Sequence, residues 1–293
     1  MYKNLLIFAI VLIIIYVLIL CLKTRLLYFP APADFDKYQD FYHKLLHLTT
    51  EKSIINDTVR TPDNIELDTF YLANPSSPKC IIYFHGNAGN ISNRYDMIKF
   101  LYNFSSVIIF DYRSYGKSTG NLINLSAASL NIDAETIWNY ATMSLNIKPA
   151  NISFLGESLG CAVAIALAAK LSKQLDDNFY PHAIILNSPF YSLKSMINDI
   201  SVKLSVPYIG DFLSCIFGRE YQSDELISYI NYRISIIIAH SQSDEVIPYS
   251  QAQDLYEQLT LHPKSKFITI SGTHNAPSFT NTYLYSIADL FNE

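Results

Sequence analysis

The sequence predicts an α/β fold, a mostly parallel sheet flanked by helices, with a small helical insertion and an N-terminal transmembrane helix. Three observations carry this: six short apolar runs after Lys79, longer helical stretches between them, and glycines confined largely to the ends of those runs. Half of the 293 residues are apolar, so a sizeable core is available and a disordered chain is excluded. The formal net charge of -5, with lysine and arginine scattered, leaves no electrostatic footprint for nucleic acid. Four cysteines (Cys21, Cys80, Cys161, Cys215) lie far apart without CxxC spacing and imply neither a zinc site nor a disulfide framework.

The first element is LLIFAIVLIIIYVLILCL, Leu5 to Leu22, which carries no charge. At about 1.5 Å per residue it spans roughly 27 Å, the thickness of a bilayer's hydrocarbon. Leu18, Ile19 and Leu20 are too bulky for a signal-peptidase site or a lipoprotein box before Cys21, so residues 1–25 are expected to be an uncleaved, single-pass anchor. Lys3 before the run and Lys23 and Arg25 after it leave its orientation tied. Residues 26–52, rich in aromatics and holding Pro30 and Pro32, read as an extended connector packed on the domain or on the membrane. The domain proper, 53–293, opens with SIINDTVRT and NIELDTFYL around Pro62 and Asp63, an alternating pattern that predicts a β-hairpin.

The apolar runs follow: CIIYF (80–84), SVIIFD (106–111), ISFLG (152–156), HAIILNS (182–188), ISIIIAH (234–240) and KFITISG (266–272). Helices are predicted at about 91–104, 126–146, 159–175, 249–260 and 278–291. The stretch from about 190 to 232, with the apolar SVPYIGDFLSCIFG, is longer than a crossover requires and is expected to form a lid.

Nine glycines serve the whole chain; Gly86, Gly89, Gly116, Gly120, Gly156, Gly160 and Gly272 fall after predicted strands, while Gly210 and Gly218 fall in the supposed lid. Ligands of open parallel sheets bind at the carboxyl ends of the strands, so the glycines mark one functional edge. GESLG (156–160) stands between the strand ISFL and the helix CAVAIALAAK, the context of a nucleophile elbow that lifts Ser158 out of the sheet. HGNAGN (85–90) follows CIIYF and has neither a Gly-Lys-Ser/Thr nor a G-x-G-x-x-G pattern, so an oxyanion loop is favoured over a phosphate loop. Its expected donors are the backbone N–H groups of Asn87 and Leu159, with His85 bracing the loop. A serine hydroxyl needs an imidazole to take its proton and a carboxylate to fix that imidazole's tautomer. His274, after the last strand, is the best base of the seven histidines, with His240 expected to shape a loop. Asp244 of SQSDEVIP is favoured over its neighbour Glu245 and over Asp111 as the acid.

LLYFP, YFHGNAGN, FDYRSYGKSTG, LGESLG, NSPFYSL, HSQSDEVIP and GTHN resemble, in order, the motifs of the α/β-hydrolase superfamily, in particular its membrane-anchored, serine aminopeptidase-like branch. The resemblance covers nearly everything after Leu26 and implies an α/β-hydrolase fold, a Ser158–Asp244–His274 triad, and an acyl ester or thioester substrate. Relatives include lipid esterases and protein depalmitoylases; no cofactor or metal is implied, and the partners expected are a small or lipidic acyl substrate and the membrane. A peptidase, or a catalytically silent tethered protein, is the rival expectation. Ser114 stands where many relatives have glycine, which is expected to change the loop backbone without loss of catalysis.

Overall fold

The structure is a computed structural model that describes residues 2–49, 53–174, 179–217, 219–260 and 262–292. Residues 50–52, where the connector was expected to end, and Gly218 lie outside the described residues, as do the side chains of Cys21 and Cys215. The chain runs α1 (Tyr2–Leu27), β1 (Phe29–Pro30), α2 (Phe35–Leu48), the hairpin β2 (Ile54–Arg60) and β3 (Glu66–Leu72), then β4 (Cys80–Phe84) and β5 (Ala88–Gly89). It continues through α3 (Tyr95–Tyr102), β6 (Ser106–Phe110), α4 (Ala127–Asn139), β7 (Ile152–Glu157), α5 (Leu159–Ser172) and β8 (Ala183–Asn187). The remainder is α6 (Leu193–Lys203), α7 (Pro207–Phe217), α8 (Ser223–Leu226), β9 (Ser235–Ser241), α9 (Tyr249–Glu257), β10 (Ser265–Thr273), β11 (Ala276–Ser278) and α10 (Asn281–Asn292).

The main sheet has the order β11-β10-β9-β8-β7-β4-β6-β3-β2. From β6 through β10 all pairings are parallel; the hairpin β2–β3 and the short β11 close the two ends antiparallel. Successive side chains of a strand face opposite sides of a sheet. Ile82 and Phe84 of β4 accordingly pack with Trp138 of α4 and Val163 and Leu167 of α5, while Ile81 and Tyr83 pack with Ile98 of α3 and Tyr283 of α10. Because both faces need apolar partners, these strands read as continuous apolar runs. The chain leaves β4 toward β6 and returns to β7 on β4's other side, so strand order reverses between β4 and β7. The loops after those two strands, HGNAGN and GESLG, therefore flank the crevice where such sheets bind ligands.

The expected extended connector is overturned over 35–48, which form helix α2. Asp34 caps it by accepting the N–H of Lys37, and Tyr38, Phe41 and Leu45 make a buried stripe at helical spacing. The prolines and aromatics that made the segment look extended act before it: Phe29 and Pro30 pair in parallel with Ala88 and Gly89, stapling the chain to the HGNAGN loop. Helix α4 ends at Asn139, short of the predicted 146, in a π-turn over Tyr140–Ser144. Ser114 takes φ 66°, the left-handed conformation that glycine favours.

The N-terminal run forms one helix of 26 residues. Several of its side chains lie outside the described residues, and among the described residues no helix is long and apolar enough to cross a membrane. The stretch expected to be a lid holds α6, α7 and α8, of which α6 and α7 line the cavity described next.

Candidate active site

Ser158 sits between the last residue of β7 and the first of α5 at φ 53° and ψ -116°, a strained backbone for a residue with a side chain. Two contacts enforce the turn. A Cβ on Gly156 would come within 2.6 Å of the Cα of Cys161, and one on Gly160 would collide with the carbonyl oxygen of Phe84, so α5 approaches β7 and β4 too closely for any other residue. The N–H of Ser158 donates to the carbonyl of Asn187 at 2.9 Å, which fixes the elbow against β8.

Three of the sequence-predicted side chains meet here. His274 Nε2 lies 3.1 Å from Ser158 Oγ, and His274 Nδ1 lies 2.7 Å from Asp244 Oδ2. The buried Asp244 side chain also accepts the N–H groups of Val246 at 2.9 Å and Ile247 at 2.8 Å through Oδ1. Burial alone would push its carboxyl up; the bonds from His274 and from these two N–H groups outweigh that and hold it below the usual range. An ionised Asp244 makes Nδ1 the donor and leaves Nε2 as acceptor for the Ser158 hydroxyl.

The neighbouring Glu245 has a different task. Its Oε2 accepts the backbone N–H of His274 at 3.0 Å, clamping the segment that carries the imidazole. The preference for Asp244, the first carboxylate off the turn, agrees with the contact to His274 Nδ1, whereas the clamp made by Glu245 has no signal in the sequence. His240 is fully buried beneath Asp244, donates from Nε2 to the carbonyl of Ile247 at 2.9 Å, and is kept neutral by burial, so it shapes the Asp244 loop.

On the other side of Ser158, Asn87 is held through its side chain: Nδ2 donates to the carbonyl of Leu27 at 2.6 Å, and Oδ1 accepts from the Tyr115 hydroxyl at 2.8 Å. Asn87 lines the same cavity as Ser158 and Leu159. Leu159 opens α5, where an N–H has no intrahelical acceptor and the helix dipole favours negative charge. The tie to Leu27 was missed from sequence, although LLYFP stands at the place it comes from.

His85 and Asp111 form the floor of the loop. Burial, reinforced by the Arg94 guanidinium, lowers His85 to about 3, and its Nδ1 donates to the Gly86 carbonyl at 2.7 Å. Asp111 accepts from the Tyr38 hydroxyl and from the N–H of Ile91, and burial pushes its carboxyl up to about 7. It therefore pairs away from His274 and is not the competitor its position at a strand end implied. Because its folded pKa lies above the unfolded carboxylate value, folding takes up a proton there, and stability is lost as pH rises from about 4 to about 7. Asp111→Asn is expected to abolish this component, seen as a flatter pH dependence of the urea midpoint in detergent; parallel curves for the two proteins would contradict it.

Above Ser158 lies a cavity of about 410 Å³. Its walls come from the end of α1 and β1 (Leu26, Leu27, Phe29), from α6 (Met196, Ile200) and from α7 (Leu213, Phe217) among others; Asn87, Ser158, Ser201 and Tyr221, whose hydroxyl bonds that of Tyr28, are the lining residues with polar side chains. No group of His, Cys, Asp or Glu side chains among the described residues is arranged to hold a metal ion.

The chain is 52% identical over 273 residues to an uncharacterized protein of Acanthamoeba polyphaga mimivirus, covering 93% of this chain and 92% of that one. It is 32% identical over 241 residues to protein bem46 of Schizosaccharomyces pombe, covering 80% and 75%. An alpha-beta hydrolase from Vibrio vulnificus superposes with a TM-score of 0.69 at 18% identity over 84% of this chain and 83% of the other. The chain belongs to the α/β-hydrolase superfamily. An esterase from Exiguobacterium antarcticum shares the α/β-hydrolase fold with a TM-score of 0.59 at 14% identity, over 82% of this chain and 100% of the other. No family model matches the chain.

Proposed function

We propose that this α/β-hydrolase is a membrane-anchored serine hydrolase that cleaves an acyl ester or thioester. The observation that carries the reading is the unbroken line from Asp244 through His274 to Ser158 Oγ, with Ser158 in the wall of an apolar cavity. Ser158 attacks the acyl carbonyl while its proton passes to His274 Nε2, and Asp244 holds the imidazole and stabilises the imidazolium. The N–H groups of Asn87 and Leu159 receive the oxyanion. His274 then returns the proton to the leaving alcohol or thiol, and water, activated by the same imidazole, releases the acid. An apolar wall without a carboxylate suits an acyl chain and offers nothing to a free peptide ammonium, which favours the ester or thioester over peptidase action. The helices α6 and α7 act as the lid. The hydropathy of Leu5 to Leu22 supports α1 as the anchor, and retention in the pellet after carbonate extraction tests it.

A fluorophosphonate probe is expected to label the full-length protein, and Ser158→Ala to abolish labelling and lower ester hydrolysis by at least about 10⁴-fold. Equal labelling of the two would sink the reading. A screen of acyl esters from short to long chains, with Ser158→Ala as blank, identifies the chain the cavity takes.

A further inference from the structure

The helices α6 and α7 form a hairpin with its polarity inverted relative to one that faces water. Its inner seam is polar and tight: Ser201 meets Gly210, where a Cβ would strike the Ser201 side chain, and Ser214 donates to Asn198 at 2.9 Å. Its outside is apolar, with Val202 66%, Tyr208 87% and Phe212 62% exposed. A water-facing helix pair places these residue types the other way round. The exposed face continues into the cavity rim through Ile200, Leu204 and Val206, and from there to Leu26 at the end of α1 and Phe29 in β1.

The end of α1 is bonded to this region. Lys23 pairs with Glu220, just beyond α7, and Tyr28 shares a 2.7 Å hydrogen bond with Tyr221. The apolar hairpin face thus stands beside the base of the apolar N-terminal helix, and a bilayer entered by that helix begins at the level of the cavity rim. Lys203 turns its Nζ to the carbonyl of Glu245, 3.4 Å away, and the exposed Asp211 on the hairpin limits penetration to the interface.

We propose that the outer face of the α6–α7 hairpin rests in the lipid surface of the bilayer that α1 enters, so that the cavity above Ser158 receives acyl chains directly from that leaflet. The inference rests on the anchor and serine-hydrolase readings above and deepens them: the substrate is a membrane-resident acyl lipid or lipidated chain. The occupant is lipid rather than a second copy because the patch runs from the hairpin to the base of the apolar N-terminal helix and shares Ile200, Leu204, Val206 and Leu26 with the wall of an apolar cavity.

The test uses the full-length protein in nanodiscs of phosphatidylcholine with plain or brominated acyl chains. The chain has one tryptophan, Trp138, which is fully buried, so an added indole reports its own surroundings. Emission from Tyr208→Trp is expected to fall at least twofold more than wild type in the brominated discs, as is that from Ile13→Trp within α1. Quenching at 13 without quenching at 208 overturns the hairpin proposal alone; no quenching at 13 overturns the anchor and the hairpin together. In parallel, Val202→Asp with Phe212→Asp is expected to retain fluorophosphonate labelling and hydrolysis of a short soluble ester while losing at least tenfold on a long-chain ester in vesicles. Equal losses on both substrates, or an unquenched indole at 208 with a doubled particle mass, would overturn it, the latter in favour of a contact between copies. Failure of Ser158→Ala to change labelling would instead strike the underlying catalytic reading.

Discussion

Asp244→Asn is expected to lower kcat for a short acyl ester by about 10⁴-fold with little change in KM. The geometry dictates how. Oδ1 of Asp244 is occupied by the N–H groups of Val246 and Ile247, so an asparagine keeps its carbonyl oxygen there and must turn its NH₂ toward His274 Nδ1. Nδ1 then becomes an acceptor, the imidazole proton moves to Nε2, and the Ser158 hydroxyl faces a donor it cannot give its proton to. Folding is spared, because both N–H bonds of the loop survive. Glu245 cannot stand in, since its carboxylate is bonded to the His274 backbone. Steady-state kinetics beside a thermal melt measure both sides of the claim; a fall of less than tenfold with an unchanged melt would assign Asp244 a purely structural part.

Gly160→Ala is expected to cost about 3 kcal/mol or more and to eliminate probe labelling. The added methyl meets the carbonyl oxygens of Phe84 and His85, which are backbone atoms at the end of the central strand β4 and cannot swing aside as a side chain would. Relief requires α5 to withdraw from the sheet, which moves both Ser158 and the Leu159 N–H. Urea midpoints with labelling in parallel measure it, and wild-type stability with full labelling would refute the account of the elbow.

Much of this was legible because the central strands leave few choices. A strand buried on both faces must be apolar throughout, so CIIYF reads as β4 without ambiguity, and SVIIF and ISFLG begin β6 and β7 where they were expected. The glycines at 156 and 160 mark close approaches that nothing else tolerates, which makes GESLG readable as a turn. Helix α2 was hidden because its neighbouring prolines dominate the local pattern, while its buried stripe of Tyr38, Phe41 and Leu45 matters only once a surface exists to receive it. The clamping role of Glu245 and the tie to the Leu27 carbonyl were hidden for a related reason: they are contacts with His274, 29 residues away, and with Asn87, 60 residues away.

The sequence by itself therefore determined the layered α/β architecture and the residue types waiting at the carboxyl ends of its strands, since those follow from burial and from local backbone sterics. Only the tertiary structure decided that Glu245 clamps the His274 backbone, which residues wall the cavity, and how the end of α1 ties the Asn87 loop. Those are matters of direction and distance between segments remote in the chain, and no local propensity encodes them.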